Sequence, residues 1–205
     1  MGQMMWILLK DQVLFIRIGN FQLLTYFTKK RNMVIFVDMD DVIADTYGKH
    51  IEMYNEEFEQ CLSLADFESG EVWQNVPEMH QDSIRRHARM DGFFRNLEPI
   101  KDSISVLRDL CQKHEVYIAT AATQFPNSLR EKSDWLDQYF PFITWEYRIM
   151  CGHKYILKGD LLIDDRTLNL DKFDGDTLLF NSPHNVHENG YKRVSNWLQI
   201  AEKLL

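Results

Sequence analysis

An α/β domain is predicted, with a three-layer, Rossmann-like core around a mainly parallel sheet and a small helical cap inserted after the first strand. Three observations predict it. Short apolar runs, VIFV (34–37), VYIA (116–119), LLI (161–163) and TLLF (177–180), alternate with helix-length amphipathic segments. Polar residues directly follow three of these runs: Asp38, Thr120 and the pair Asp164–Asp165. The interval from Asp45 to Pro99 is too long for a simple crossover, so it reads as an insertion over that edge of the sheet.

Taken in order, VIFV reads as a buried strand. A helix is expected around 48–60, with Ile51, Tyr54 and Phe58 on one face. PEMHQDSIRRHARM (77–90) reads as a helix and DGFFRNLEP (91–99) as an aromatic turn. The segment 102–113 predicts a helix with Ile104, Leu107, Leu110 and Cys111 inward. VYIA follows as a strand, then a helix over 127–139 with Leu129, Leu136 and Tyr139 inward. Residues 143–149, LLI and TLLF supply further strands. A last helix is expected over 193–204, with Val194, Trp197, Leu198 and Ala201 on one side.

The totals bound the function. The 205 residues are 45% apolar and 13% aromatic, enough for a packed core. A net charge of −8 argues against a nucleic-acid polymer as partner, but not against a small anion held by a local positive site or a metal. Cys61, Cys111 and Cys151 show no paired spacing, so they are expected to be free thiols of a cytoplasmic protein. Residues 1–32 carry five basic residues and one acidic one, against 18 and 30 in the remainder. They are expected to be an appendage translated upstream of a natural start at Met33, with a short membrane-surface segment as the alternative. No apolar run reaches the roughly 18 residues of a membrane span.

The chemistry lies at the strand ends. In open parallel sheets, ligands bind beyond the C-terminal ends of the strands. Asp38, Asp40 and Asp164–Asp165 converge there if strands 34–37 and 161–163 are neighbours. Carboxylates crowded in a half-buried site need a counter-charge, and a hard divalent cation such as Mg²⁺ supplies it. Two carboxylates two residues apart can divide labour, one attacking and the other moving a proton. A hydroxyl (Thr120) and a lysine (Lys132) can position phosphate oxygens. Each piece alone has a plainer reading as a helix cap, a turn or a surface charge. Their order and spacing together carry the signal.

These motifs resemble the haloacid dehalogenase superfamily of aspartyl-phosphate phosphatases. VIFVDMDDVIAD is similar to its first motif, YIAT (117–120) to its second and LLIDDR (161–166) to its fourth, with Lys132 in place of the third motif's lysine. The segments DMDxVxAD, GFFRNLEP (92–99), KSDWLDQYF (132–140) and DLLIDDR (160–166) resemble the 5′(3′)-deoxyribonucleotidases in the same order. The resemblance implies an Mg²⁺-dependent phosphomonoesterase domain over 33–205, with its cap at about 46–98. It implies Asp38 as nucleophile and metal ligand, and Asp40 as general acid and base with a metal-binding carbonyl. Thr120 and Lys132 would hold the phosphate. Asp164 and Asp165 would provide the remaining ligand and its support, in an order left open. Thr46, Trp73, Phe93 and Phe94 are candidate substrate contacts in the cap. The expected substrate is a deoxyribonucleoside monophosphate. The alternatives are a related phosphatase acting on another ester, or a non-catalytic nucleotide-binding protein.

Three positions depart from the family pattern: Asp41 where glycine is usual, Ala121 where serine is frequent, and Thr46 where an aromatic is common. Asp41 is expected to turn away from the metal, and Asp45 to support the turn into the cap. His184 and Asn185 are candidates to face the site. Lys154 is weighed equally as a surface charge and as an aid to substrate binding. The expected partners are a small nucleotide and, at most, a second copy of the chain. No membrane partner is expected.

Overall fold

The computed structural model describes residues 4–9, 12–17, 32–67 and 69–205, in two compact units, Met1–Asn32 and Met33–Leu205. In the first unit, β1 (Met4–Leu9) pairs antiparallel with β2 (Gln12–Arg17). The sequence reading assigned no element there, although MMWILL and QVLFIR are apolar runs of strand length. Among the described residues, no helix is long and apolar enough to cross a membrane.

The second unit is built on six parallel strands in the order β5-β4-β3-β6-β7-β8. They are β3 (Val34–Val37), β4 (Glu115–Thr120), β5 (Arg148–Met150), β6 (Leu161–Asp164), β7 (Asp176–Phe180) and β8 (Arg193–Val194). β3 lies between β4 and β6, with Val37 level with Ile118 on one side and Ile163 on the other. From β3 the chain winds outward through β4 and β5. It then returns to β6 and winds the other way. This reversal opens a crevice beyond the C-terminal ends of β3 and β6, where ligands bind in such sheets.

Side-chain alternation divides the core. Ile35, Val37, Ile118 and Ile163 face a layer formed by α3 (Ser103–Lys113), α4 (Ser128–Tyr139) and α6 (Trp197–Leu204). Phe36, Ala119, Leu162 and Leu179 face the opposite way, onto Phe173 and Leu170 of the short helix α5 (Thr167–Leu170). Burial on both faces explains why these strands read as continuous apolar runs.

Between β3 and α3 lie α1 (Thr46–Phe58), α2 (Glu78–His87) and two short 3₁₀ turns. Tyr47, Ile51, Tyr54, Phe67, Val72 and Ile84 form an apolar cluster of their own there. An N-cap stops α1 from running back into the β3 loop, because Asp45 Oδ1 accepts from Gly48 N at 2.7 Å.

Several local expectations are corrected. Residues 193–194 form strand β8, and α6 starts at Trp197 behind the Asn196 cap. That start turns Ile200 inward and leaves Leu198 55% exposed. In α4, Leu136 is buried and Tyr139 packs on the core as expected, together with Ser128, Glu131, Lys132 and Trp135, whereas Leu129 is exposed. The 143–149 segment begins as a 3₁₀ turn, Trp145–Tyr147, and its strand is shifted to 148–150. In α3, Val106 joins Leu107 and Leu110 in full burial, while Ile104 and Cys111 are partly buried.

Candidate active site

The end of β3 delivers Asp38 into the crevice. Its backbone N–H donates to Ile163 O at 2.9 Å, which continues the β3–β6 ladder by one residue. Its carboxylate is buried, and Oδ1 accepts from Met39 N at 2.7 Å. Lys154 completes the pairing. This buried ammonium reaches Asp38 Oδ1 at 2.6 Å and Asp164 Oδ2 at 2.5 Å. Burial pushes Asp38 above the usual carboxylate range, with Lys154 pulling the other way. Burial opposes charge on Lys154 too, but the two carboxylates hold it strongly protonated.

Asp40 and Lys132 form a second pair. Lys132 Nζ donates to Asp40 Oδ2 at 2.5 Å and to Thr120 Oγ1 at 2.9 Å. Thr120 and Lys132 are both buried, and the ammonium lies 4.8 Å from the centre of the Phe94 ring. Asp40 Oδ1 is buried without a hydrogen bond.

The two aspartates at the end of β6 occupy different environments. Asp164 is saturated: Oδ1 accepts from Arg166 N at 2.8 Å, and both oxygens lie 3.1 Å from Asn169 Nδ2. Asp165 meets His184 Nε2 at 2.9 Å and Arg166 Nε at 3.3 Å through Oδ2, while its buried Oδ1 has no hydrogen bond. His184 and Asn185 also donate to, or pair with, the Asp165 carbonyl at 3.1 and 2.8 Å, so this loop holds Asp165 in place. Burial raises the Asp165 carboxyl to about 8, and Asp164 and Asp38 add to that effect against His184. Oxygens of Asp38, Asp164 and Asp165 lie within 4.8 Å of one another. An oxygen-only donor set with an unbonded buried oxygen fits a hard cation.

Asp41 is held elsewhere. Its φ of 54° lies in the left-handed region, which accounts for the glycine usual at this position. Its Oδ1 accepts from Thr46 Oγ1 at 2.5 Å and from Tyr47 N at 2.9 Å. Burial pushes its carboxyl up to about 6.

Two overlapping cavities, of about 430 and 410 Å³, form the cleft. The inner one reaches Asp38, Asp40 and Lys154, with Phe93, Phe94 and Ala121 on its wall. The outer one is bounded by Trp73, Arg85 and Arg89 from the cap region. Thr46 and His50 line both. Phe93 and Phe94 are also anchored in the main core. One face of Trp73 is covered by the Arg85 guanidinium, 4.0 Å from the ring centroid. Arg166 ties the β6 side of the cleft to Glu71 of the insertion. In the sequence Lys154 is an isolated lysine, which carries no sign of burial. Its spacing before β6 was the available signal.

The fold is that of haloacid-dehalogenase-like hydrolases of known structure. A hydrolase of this type from Bacillus subtilis, solved with magnesium, superposes with a TM-score of 0.53 at 12% identity, covering 85% of this chain and 99% of that one. Another, from Deinococcus radiodurans and solved with phosphate and sodium, gives 0.56 at 12% identity over 82% and 92%. Within that class the assignment is closer: residues 32–205 match the family described as 5′ nucleotidase, deoxy (pyrimidine), cytosolic type C, and the chain belongs to it. A 5′(3′)-deoxyribonucleotidase from Bacillus subtilis is 40% identical over 172 residues, 84% of this chain and 98% of its own length. The protein is thus a phosphatase of the deoxyribonucleotidase type.

Proposed function

We propose that this phosphatase is Mg²⁺-dependent and removes the 5′ or 3′ phosphate from deoxyribonucleoside monophosphates through an aspartyl-phosphate. The observation that carries the reading is the division of labour between Asp38 and Asp40. One carboxylate is buried against Lys154; the other, two residues on, is paired to Lys132 beside Thr120.

Asp38 attacks phosphorus, forming the aspartyl-phosphate as the P–O ester bond breaks. Asp40 gives a proton to the leaving oxygen. Asp40 then takes a proton from water as that water attacks phosphorus, which frees Asp38 and releases inorganic phosphate. An arriving phosphate competes with Asp40 for Lys132, so substrate binding releases Asp40 for proton transfer. Thr120 and Lys132 hold the phosphate oxygens. Mg²⁺, when bound, neutralises charge on phosphate and nucleophile. Asp38, the Asp40 carbonyl and Asp165 would hold it, with Asp164 as support. The unbonded Asp165 Oδ1 and the saturated Asp164 favour this order. The nucleoside occupies the outer cavity, between Thr46 and Trp73.

A panel of phosphate esters, assayed with and without Mg²⁺, tests the reading. Deoxyribonucleoside monophosphates are expected to be the best substrates, with turnover lost in a chelator and restored by Mg²⁺. Efficient cleavage of sugar phosphates with nucleotides left intact would overturn it.

A further inference from the structure

Asp41 is not used by the mechanism above, yet it stands in the cleft. Its φ of 54° lies in the left-handed region, which glycine adopts freely and aspartate occasionally. Its Oδ1 is occupied by Thr46 Oγ1 at 2.5 Å and Tyr47 N at 2.9 Å. Thus two departures from the family pattern, Asp41 and Thr46, bond to each other. Among the described residues, no donor reaches Asp41 Oδ2, and no Lys, Arg or His nitrogen pairs with this carboxylate. Asp41 is nonetheless only 9% exposed and lines both cavities. Its second oxygen therefore stands open to the cleft as an acceptor that a donor can reach.

A molecule that enters the cleft can supply that donor in place of water. A second phosphate would be repelled. A cation shared with Asp165 and His184 is disfavoured, because both His184 ring nitrogens are engaged, Nδ1 with Ser182 Oγ at 2.9 Å and Nε2 with Asp165. Asp41 lies where the phosphate half of the cleft meets the outer half, so the leaving group passes beside it.

We propose that Asp41, steadied by Thr46, accepts a hydrogen bond from a free hydroxyl on the leaving group, and so makes the enzyme selective for hydroxyl-bearing phosphate esters. For a nucleoside 5′-monophosphate that hydroxyl is on the sugar. The proposal rests on the phosphatase reading and adds a specificity determinant to it. The Thr46 hydroxyl is committed to the Asp41 carboxylate, so it supports Asp41 while its side chain lines the outer cavity.

The test compares kcat/KM within two pairs of esters. One pair is a deoxyribonucleoside 5′-monophosphate and its 3′-deoxy analogue. The other is glycerol phosphate and propyl phosphate. The unaltered enzyme is expected to prefer the hydroxylated member at least tenfold, since a site built to bond a hydroxyl rejects the analogue without it. Asp41→Gly, which suits the backbone, should reduce that preference to within about threefold. Asp41→Asn is the second variant. It tolerates the left-handed backbone and keeps an oxygen for Thr46 and Tyr47, but turns toward the cleft a neutral amide that can only donate to the hydroxyl oxygen, so the preference should fall to a value between those of the parent and Asp41→Gly. No preference in either pair, or one that survives both substitutions, overturns the proposal. An equal fall for both members of a pair also overturns it, because it would signal a general defect. Inert nucleotides beside a preference in the second pair that Asp41→Gly removes would overturn the nucleotide reading alone. No turnover of any of the four esters overturns both.

Discussion

On the floor of the cleft, the strand ends supply charges that are matched at close range. Lys154 lies 2.6 Å from Asp38 and 2.5 Å from Asp164, and Lys132 lies 2.5 Å from Asp40. Lys154, Asp38 and Asp164 are nearly inaccessible to solvent. On the roof above it, the insertion supplies Glu71, which meets Arg166 from the β6 side in a wetter pair. Glu71 and Arg166 are 34% and 45% exposed, and Arg85 lies over Trp73. Water screens the roof and reaches Asp40, 33% exposed, but hardly touches the Lys154–Asp38–Asp164 cluster. A change on the floor should therefore strike chemistry and stability together, whereas one on the roof should adjust binding.

The largest effect is expected at Asp38, the proposed nucleophile. Asp38→Asn keeps the size and the Met39 contact but removes the attacking charge. Turnover should fall by at least about 10⁴-fold, as for other nucleophile deletions. Circular dichroism should show an unchanged fold. Comparable turnover in this variant would remove the covalent step from the floor's role.

Lys154→Met sharpens the comparison through stability. It leaves Asp38 and Asp164 buried without their shared cation, and breaking a buried pair costs about 3–5 kcal/mol. Thermal melts should show a clear loss. Mg²⁺ should recover more stability in the variant than in the parent, because a bound cation replaces the missing charge. An unchanged melt in chelator would show that the floor is not charge-limited.

This contrast also explains what the sequence disclosed. Strands buried on both faces are written as unbroken apolar runs, so VIFV, VYIA and LLI point directly at Asp38, Thr120 and Asp164. The partners of those residues are written less plainly. Lys154 approaches the site from a 3₁₀ turn of three residues, too short to show a period. The distinction between Asp164 and Asp165 depends on Arg166 and Asn169, just downstream, and on His184 from a distant loop, and the sequence does not show which carboxylate each of them meets. The inward sides of α4 and α6 were misjudged at Leu129 and Leu198 because a helix face depends on where the helix starts. Asp41 was visible only as a departure, since a left-handed backbone leaves no mark on an aspartate.

A smaller effect is expected from acid. His50 lines the cleft, with Nδ1 3.2 Å from His87 Nδ1 and its ring 4.8 Å from Phe93. Burial first, and His87 second, pull it down to about 4, while Glu71 and Asp40 act weakly the other way. Unfolded, it would titrate near 6.5. The unfolded chain then binds more protons between those values, so this contribution is complete above about pH 6.5 and is lost as the pH falls toward 4. His87 is shifted in the same direction, chiefly by burial. His50→Phe should flatten the fall in melting temperature between pH 6.5 and 4.5. An equally steep fall would assign the acid sensitivity to the floor.

The smallest effect separates roof from floor. Glu71→Gln removes the carboxylate that meets Arg166 across the cleft. Both partners are substantially exposed, and such pairs contribute about 0.2–1 kcal/mol. KM should therefore rise only about two- to fivefold, with kcat nearly constant, because Asp38 and Asp40 keep their own partners. The difference between variant and parent should shrink between 0.05 and 0.5 M salt, since screening already weakens the pair in the parent. A large fall in kcat would show instead that Arg166, 3.3 Å from Asp165, transmits the roof's charge to the floor. The two regions would then form one electrostatic unit.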